Sequence, residues 1–151
     1  MSALAGIYNW REVAPGLACA GQPDEDELAA VAAAGYEVVI NLGLLGTAYA
    51  LPDEGATVRA LGMDYVHIPV QWRGPAAADL ETFLRAMRAL AGRRVFVHCA
   101  ANKRATAFVA VHGLRNLGWT PARAREVIDS VWSPDPLWAG FLARAGGLPA
   151  A

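Results

Sequence analysis

The feature that most constrains the fold is an alternation of two kinds of segment. Four short runs of apolar or β-favouring residues, at 17–20, 36–42, 64–70 and 95–98, alternate with longer stretches of helical character. After the first run, Gly21-Gln22-Pro23 closes the strand. Asp24 then caps a helix over 25–34, with Glu27 three residues on as its capping-box partner and Gly35 as its stop. Pro52-Asp53-Glu54 opens a second helix that ends at Gly62. Pro69 confines the end of the 64–70 run to an edge or an exit. Residues 77–91 form a helix with Leu80, Phe83, Leu84, Met87 and Leu90 on one stripe. Beyond 95–98 the chain is helical over 103–117, 121–131 and 136–145, and Trp132, Trp138 and Phe141 with Pro134 and Pro136 make a C-terminal cover. Strands alternating with helices predict an α/β class, a three-layer α/β/α domain around a small, mostly parallel sheet. Ligands in such folds sit beyond the carboxyl ends of the strands, which directs attention to residues 21–23, 41–46, 71–74 and 99–104.

The 151 residues suit a single domain over 1–151, since no repeat, linker or charge block marks a boundary. Hydrophobic residues at 55% against 18% charged exclude a disordered chain. No apolar run approaches the ~20 residues of a membrane span. Met1 to Trp10 lacks the basic flank and apolar stretch of a signal peptide, so a cytoplasmic protein is expected. A net charge of −1 gives no reason to expect nucleic acid or an anionic membrane as partner. Two cysteines, Cys19 and Cys99, make neither a disulfide framework nor a metal site, and no cofactor is expected.

Chemistry concentrates in Val97-His98-Cys99-Ala100-Ala101-Asn102-Lys103-Arg104-Ala105-Thr106. A cysteine that follows a buried strand and precedes a helix lies over the helix N-terminus, where unpaired amides and the dipole favour an anion. An ordinary thiol is only a few per cent thiolate at pH 7, and such a setting raises that fraction. The same amides can wrap phosphate oxygens, and Arg104 can clamp them bidentately. A nucleophile, an anion cradle and a fixed cation are what phosphoryl transfer through a covalent intermediate requires. Ala100 and Ala101 keep the loop open, and Asn102 lies within the cradle. Lys103 is the one Lys among 13 basic side chains, which makes it more a placed residue than an incidental one. The alternative role for Cys99 is to fill space, as free cysteines usually do.

This segment resembles the His-Cys phosphate-binding loop of the cysteine-dependent protein tyrosine and dual-specificity phosphatases. Cys19-Ala20-Gly21-Gln22-Pro23, Val39-Ile40-Asn41-Leu42 and His67-Ile68-Pro69-Val70 are similar to landmarks of a bacterial phosphatase-like branch, some of whose members are labelled sulfur transferases. Together the similarities cover most of residues 15 to 131. The resemblance implies Cys99 as nucleophile, His98 as the residue that orients and acidifies it, and Arg104 as the phosphate ligand. It implies hydrolysis of phosphomonoesters, protein phosphotyrosine or a small aryl phosphate, through a phosphocysteine.

Two departures qualify that expectation. The usual loop has five residues between Cys and Arg and then a hydroxyl, whereas four separate Cys99 from Arg104 here and Ala105 follows. With a full-length loop Thr106 matches the hydroxyl and Ala105 takes the Arg position; with a shortened loop Arg104 matches and Ala105 replaces the hydroxyl. The Cys-x4-Arg spacing is also close to the rhodanese-type sulfur-transfer loop, so a sulfurtransferase carrying a persulfide on Cys99 is one alternative. The other is an anion-binding pseudophosphatase. The second departure is the general acid: Gln71 and Trp72 stand where the family usually places Asp, and losing an acid typically costs 10²–10⁴-fold. Asp79 reads as a cap or dipole residue, and Asp64 lies at the far end of its strand. Gln22 and Asn41 face the same mouth and can either orient a ligand or bond the loops. Trp72 offers an aromatic wall, Cys19 can form a reversible disulfide with Cys99 that protects it from over-oxidation if the fold brings them close, and His67 and His112 read as packing residues.

Overall fold

The computed structural model describes residues 3–149, and its sheet has five strands rather than the four expected. β1 (Arg11–Ala14) forms a hairpin with β2 (Leu17–Ala20), turning through Pro15 and Gly16, whose φ of +74° needs a residue without a Cβ. β1 gave no sequence signal because only Val13 of its four residues is buried. The remaining strands are β3 (Val38–Asn41), β4 (Asp64–His67) and β5 (Val95–His98). Their order is β1-β2-β5-β3-β4, with β1 antiparallel and the other four parallel.

β5, at the centre, pairs with β2 on one side and β3 on the other, so all four of its residues are buried. The strand predicted over 64–70 stops at His67. Pro69 has no amide to give, and only Ile68 and Val70 still donate, to Asn41 and Leu42. The strand predicted over 36–42 is likewise trimmed, to Val38–Asn41, all four of them buried.

Helices cover both faces. α1 (Glu25–Ala33) begins at Asp24, whose Oδ1 accepts from the Glu27 amide at 2.7 Å while Glu27 Oε1 accepts from the Asp24 amide at 3.0 Å. α2 (Glu54–Ala60) starts two residues later than Pro52 because Asp53 is its cap. These two helices, with a 3-10 turn at Ala3–Gly6, bury Leu28, Val31 and Val58 against Ala18, Ala20, Val39 and Phe96. The opposite face carries α3 (Ala77–Ala89), α4 (Lys103–Asn116), α5 (Pro121–Asp129) and α6 (Pro136–Phe141), which continues into a π-helical turn over Leu142–Gly146. Its core is larger and centres on Phe83, Phe108 and Trp138, all fully buried. Two cores separated by one sheet make the expected three layers. No helix among the described residues is long and apolar enough to cross a membrane.

Candidate active site

β5 delivers the chain to the centre of the sheet's carboxyl edge, where it leaves the strand at Cys99 and enters α4 at Lys103. Between them the backbone must reverse into a helix within three residues. It does so through Asn102 in the left-handed region at φ +67°, a conformation that Asn tolerates better than most residues. Asn102 donates from Nδ2 to the carbonyl of Asn9 at 2.8 Å, and Asn9 donates back to the carbonyl of Ala101 at 3.1 Å. This reciprocal clasp ties the segment before β1 to the loop. Gly21 completes the seating: a Cβ there would lie 2.6 Å from the Ala100 carbonyl and 2.7 Å from the Tyr8 ring.

The loop amides are the site's main electrostatic feature. Among the described residues, the amides of 100, 101, 103 and 104 donate to no protein acceptor, and the Ala105 amide points at Cys99 Sγ, 3.4 Å away. A ring of unspent donors at the start of a fourteen-residue helix favours a thiolate and any anion held above it. The cavity in front of the sulfur has a volume of about 270 Å³ and is lined by Trp72, Cys99, Ala100, Ala101, Lys103 and Arg104. A roomier cleft of about 520 Å³ opens at the opposite end of the strands, beside Leu17, Met87 and Trp119, but has no cysteine in its walls.

Arg104 lines the cavity, so the shortened-loop alternative is the one the chain adopts, with Ala105 in place of the hydroxyl. Its guanidinium donates to the Val70 carbonyl at 2.7 Å and to the Tyr49 hydroxyl at 3.3 Å. Arg104 is only 5% exposed, and neither it nor Lys103 pairs with a carboxylate among the described residues. A buried charge without a counter-ion is costly, and an anionic ligand is the natural complement. Burial alone would raise the Tyr49 hydroxyl, but the hydrogen bonds from Arg104 and the Leu44 amide outweigh it and hold the group below its usual range. Lys103 is exposed and places Nζ about 6 Å from the Trp72 and Trp132 rings.

Behind the loop, His98 Nε2 and Glu54 Oε2 lie 2.6 Å apart, with 0% and 1% side-chain exposure. Gln22 donates to the other Glu54 oxygen at 2.7 Å, and His98 Nδ1 lies 3.2 Å from the Cys99 carbonyl. Burial alone would raise the Glu54 carboxyl, yet the His98 contact and the Gln22 amide hold it below the usual carboxylate range.

Several expected ligand contacts are therefore corrected. Gln22 does not reach the mouth, because its side-chain amide is spent on Glu54 and the Pro23 carbonyl. Thr106 faces away: its hydroxyl donates to the carbonyls of Asn102 and Lys103 and accepts from Trp132 Nε1. Gln71 is exposed and does not line the cavity, while its neighbour Trp72 does. The Asn102 side chain is turned under the loop, towards Asn9 and Cys19. Asn41 bonds the Gly43 amide and Tyr65, and Asp79 lies in the first turn of α3 without capping it. His67 holds the Gly43 carbonyl at 2.7 Å, a packing role as expected. Cys19 lies on the same face of the sheet as Cys99, one diagonal step away, but both are free thiols. Burial pushes the Cys19 thiol up to about 12, despite Asn102 alongside, which disfavours it as a disulfide partner.

The sequence reading missed Glu54, Tyr49 and the Asn9 clasp. Glu54 looked like an ordinary acidic first-turn residue, and nothing local announces that α2 turns it beneath β5. Tyr49 lies in a turn-rich stretch beyond the strand exit at 41–46 and carried no signal of its own.

Comparison with known proteins agrees with this fold. The family described as "Beta-lactamase hydrolase-like protein, phosphatase-like domain" matches residues 9–114. Beta-lactamase hydrolase-like proteins of Xylella fastidiosa, strains Temecula1 and 9a5c, are each 36% identical over 98 residues, covering 63% of this chain. The chain spans 22% of the length of those relatives. A DUF442 protein of Shewanella putrefaciens CN-32, named as a candidate phosphatase, superposes with a TM-score of 0.87 at 37% identity, covering 97% of both chains. At the level of fold alone, TpbA of P. aeruginosa, solved in complex with pTyr, gives a TM-score of 0.73 at 17% identity over 93% of this chain and 88% of that one.

Proposed function

The chain belongs to the phosphatase-like domain family of the beta-lactamase hydrolase-like proteins, and from that premise we propose that it hydrolyses phosphomonoesters through a phosphocysteine on Cys99. The observation that carries this reading is the cavity itself: a cysteine sulfur beneath four unspent loop amides, with two cations in the walls and no carboxylate. The Cys99 thiolate attacks phosphorus, the P–O bond to the leaving group breaks, and that oxygen departs with the bonding pair. Arg104 and the amides of 100, 101, 103 and 104 hold the three equatorial oxygens as charge moves on to them. Water then attacks the phosphocysteine, breaking the S–P bond and returning the thiolate with inorganic phosphate. With no carboxyl group in the cavity to protonate the departing oxygen, the substrates that suit this site are aryl phosphates, phosphotyrosine included, whose leaving groups need least help.

Hydrolysis of a chromogenic aryl phosphate between pH 5 and 8 tests the proposal, with wild type beside Cys99→Ser. The expected result is turnover that falls to background in the variant. Absence of turnover in the wild type overturns it. The four-residue spacing from Cys99 to Arg104 favours one second reading, persulfide transfer. There the thiolate attacks the outer sulfur of thiosulfate, the S–S bond breaks and sulfite leaves. A gain of one sulfur mass on Cys99 after thiosulfate treatment, without aryl phosphate turnover, selects that reading.

A further inference from the structure

His98 is enclosed, and both of its ring nitrogens face oxygen: Nε2 the Glu54 carboxylate at 2.6 Å, Nδ1 the Cys99 carbonyl at 3.2 Å. A carbonyl has no hydrogen to give, so Nδ1 must donate to satisfy it. The short contact at Nε2 then holds one more proton, shared between His98 and Glu54. The Gln22 amide donates to Glu54 and so favours the carboxylate, which leaves the proton on the ring and makes His98 an imidazolium. The other ionisable groups around the pair do not change this assignment. His67 on β4 favours the Glu54 carboxylate, Tyr65 on β4 is bonded by Asn41 and is neutral, and Asp53 and Arg59 lie at the two ends of α2. From β2 and β3 the strand residues in register with His98, Ala20 and Asn41, bring no charge.

A fully buried ion pair contributes little to folding, because desolvation offsets its attraction. Set directly behind a nucleophile it has another use. We propose that Glu54 is a positioning residue for Cys99: by holding His98 as an imidazolium against the Cys99 carbonyl, it places a buried positive charge on the nucleophile's own peptide and keeps the sulfur anionic. Gln22 completes the arrangement by fixing the Glu54 carboxylate from the other side. This rests on the reading of Cys99 as a nucleophile, for phosphoryl and sulfur transfer alike.

The test measures the thiolate directly. Glu54→Gln preserves the shape and a hydrogen-bonding oxygen but removes the charge. Iodoacetamide alkylation of the intact protein at pH 6, followed by mass spectrometry, reports Cys99, because the buried Cys19 thiol is not ionised there. The expected result is alkylation slowed about tenfold or more in Glu54→Gln, the effect of losing one favourable charge within about 6 Å. Alkylation of the folded variant at the wild-type rate overturns the proposal. Should the variant not fold, ring nitrogen NMR of His98 in the wild type decides. Hydrogens on both nitrogens at pH 7 support the assignment, and a neutral ring overturns it. Neither readout depends on turnover, so a wild type that hydrolyses no phosphate yet shows the Glu54 effect would sink the phosphatase proposal and leave this one standing.

Discussion

His112, on α4 and well away from the cavity, shows how one buried side chain sets a pH dependence for the whole protein. It is 5% exposed, and its Nδ1 accepts from Asn116 Nδ2 at 2.9 Å, which fixes a neutral ring. Burial, and to a lesser degree the charge on Arg88, lowers it from 6.5 to about 4. The unfolded chain therefore takes up a proton near pH 6.5 that the folded chain refuses until about pH 4. Stability from this group is complete above pH 6.5 and drains away between 6.5 and 4, by at most about 3 kcal/mol. Urea unfolding at pH 7 and pH 4.5 should show a smaller acid loss in His112→Gln than in wild type, and equal losses would refute the assignment. The sequence read His112 as a packing residue from its apolar neighbours. What it could not supply was the burial and the Asn116 contact that decide the protonation state.

At the scale of the element, α4 carries the most constraint. Its N-terminus aims amides at the sulfur, and its C-terminal half is gripped by Trp119, which folds back so that its amide bonds the Gly113 carbonyl at 3.0 Å. A Cβ on Gly113 would fall 1.9 Å from the Trp119 ring. Gly to Ala in a helix ordinarily gains up to about 1 kcal/mol, but overpacking against a ring costs about 1–3 kcal/mol or more. Gly113→Ala should therefore lower the urea midpoint, and a raised midpoint would show that Trp119 moves aside freely. Some elements were legible from their starts: Asp24 with Glu27 caps α1 as its sequence suggests, and Pro121 and Pro136 open α5 and α6, behind Thr120 and Asp135 as caps, whereas α3 and α4 begin without a side-chain cap. β1 was not legible, since a four-residue edge strand with one buried side chain has too short a pattern to stand above chance.

Over the whole molecule, the aromatic cover links the C-terminal helices to the mouth of the cavity. Trp138 is fully buried, stacks on Trp72 at 5.4 Å and donates from Nε1 to the Trp72 carbonyl at 2.8 Å. Trp72 in turn walls the cavity. Trp138→Phe keeps an aromatic ring but leaves that carbonyl without its donor, at a cost of about 1–3 kcal/mol out of the roughly 5–15 typical of a domain. Urea denaturation should show this loss, and an unchanged midpoint would mean that the cover is held by packing alone. The cover as a unit was foreseeable from its density of Trp and Pro. Its junction with Trp72 was not, because 66 residues separate the two partners.

Local sequence was enough for the class of fold, and it singled out the loop after β5, with Cys99, as the candidate site. Periodicity, caps and a cysteine between strand and helix are local patterns, and local patterns survive in one dimension. Packing settled which loop register the chain adopts, and hence that Arg104 rather than Thr106 lines the cavity. It also decided that Gln22 serves a carboxylate rather than a substrate, and that Glu54 stands behind His98. Each of those outcomes depends on where a side chain points after separate elements have packed, and on the burial that packing imposes. Neither quantity is written in the spacing of residues along the chain.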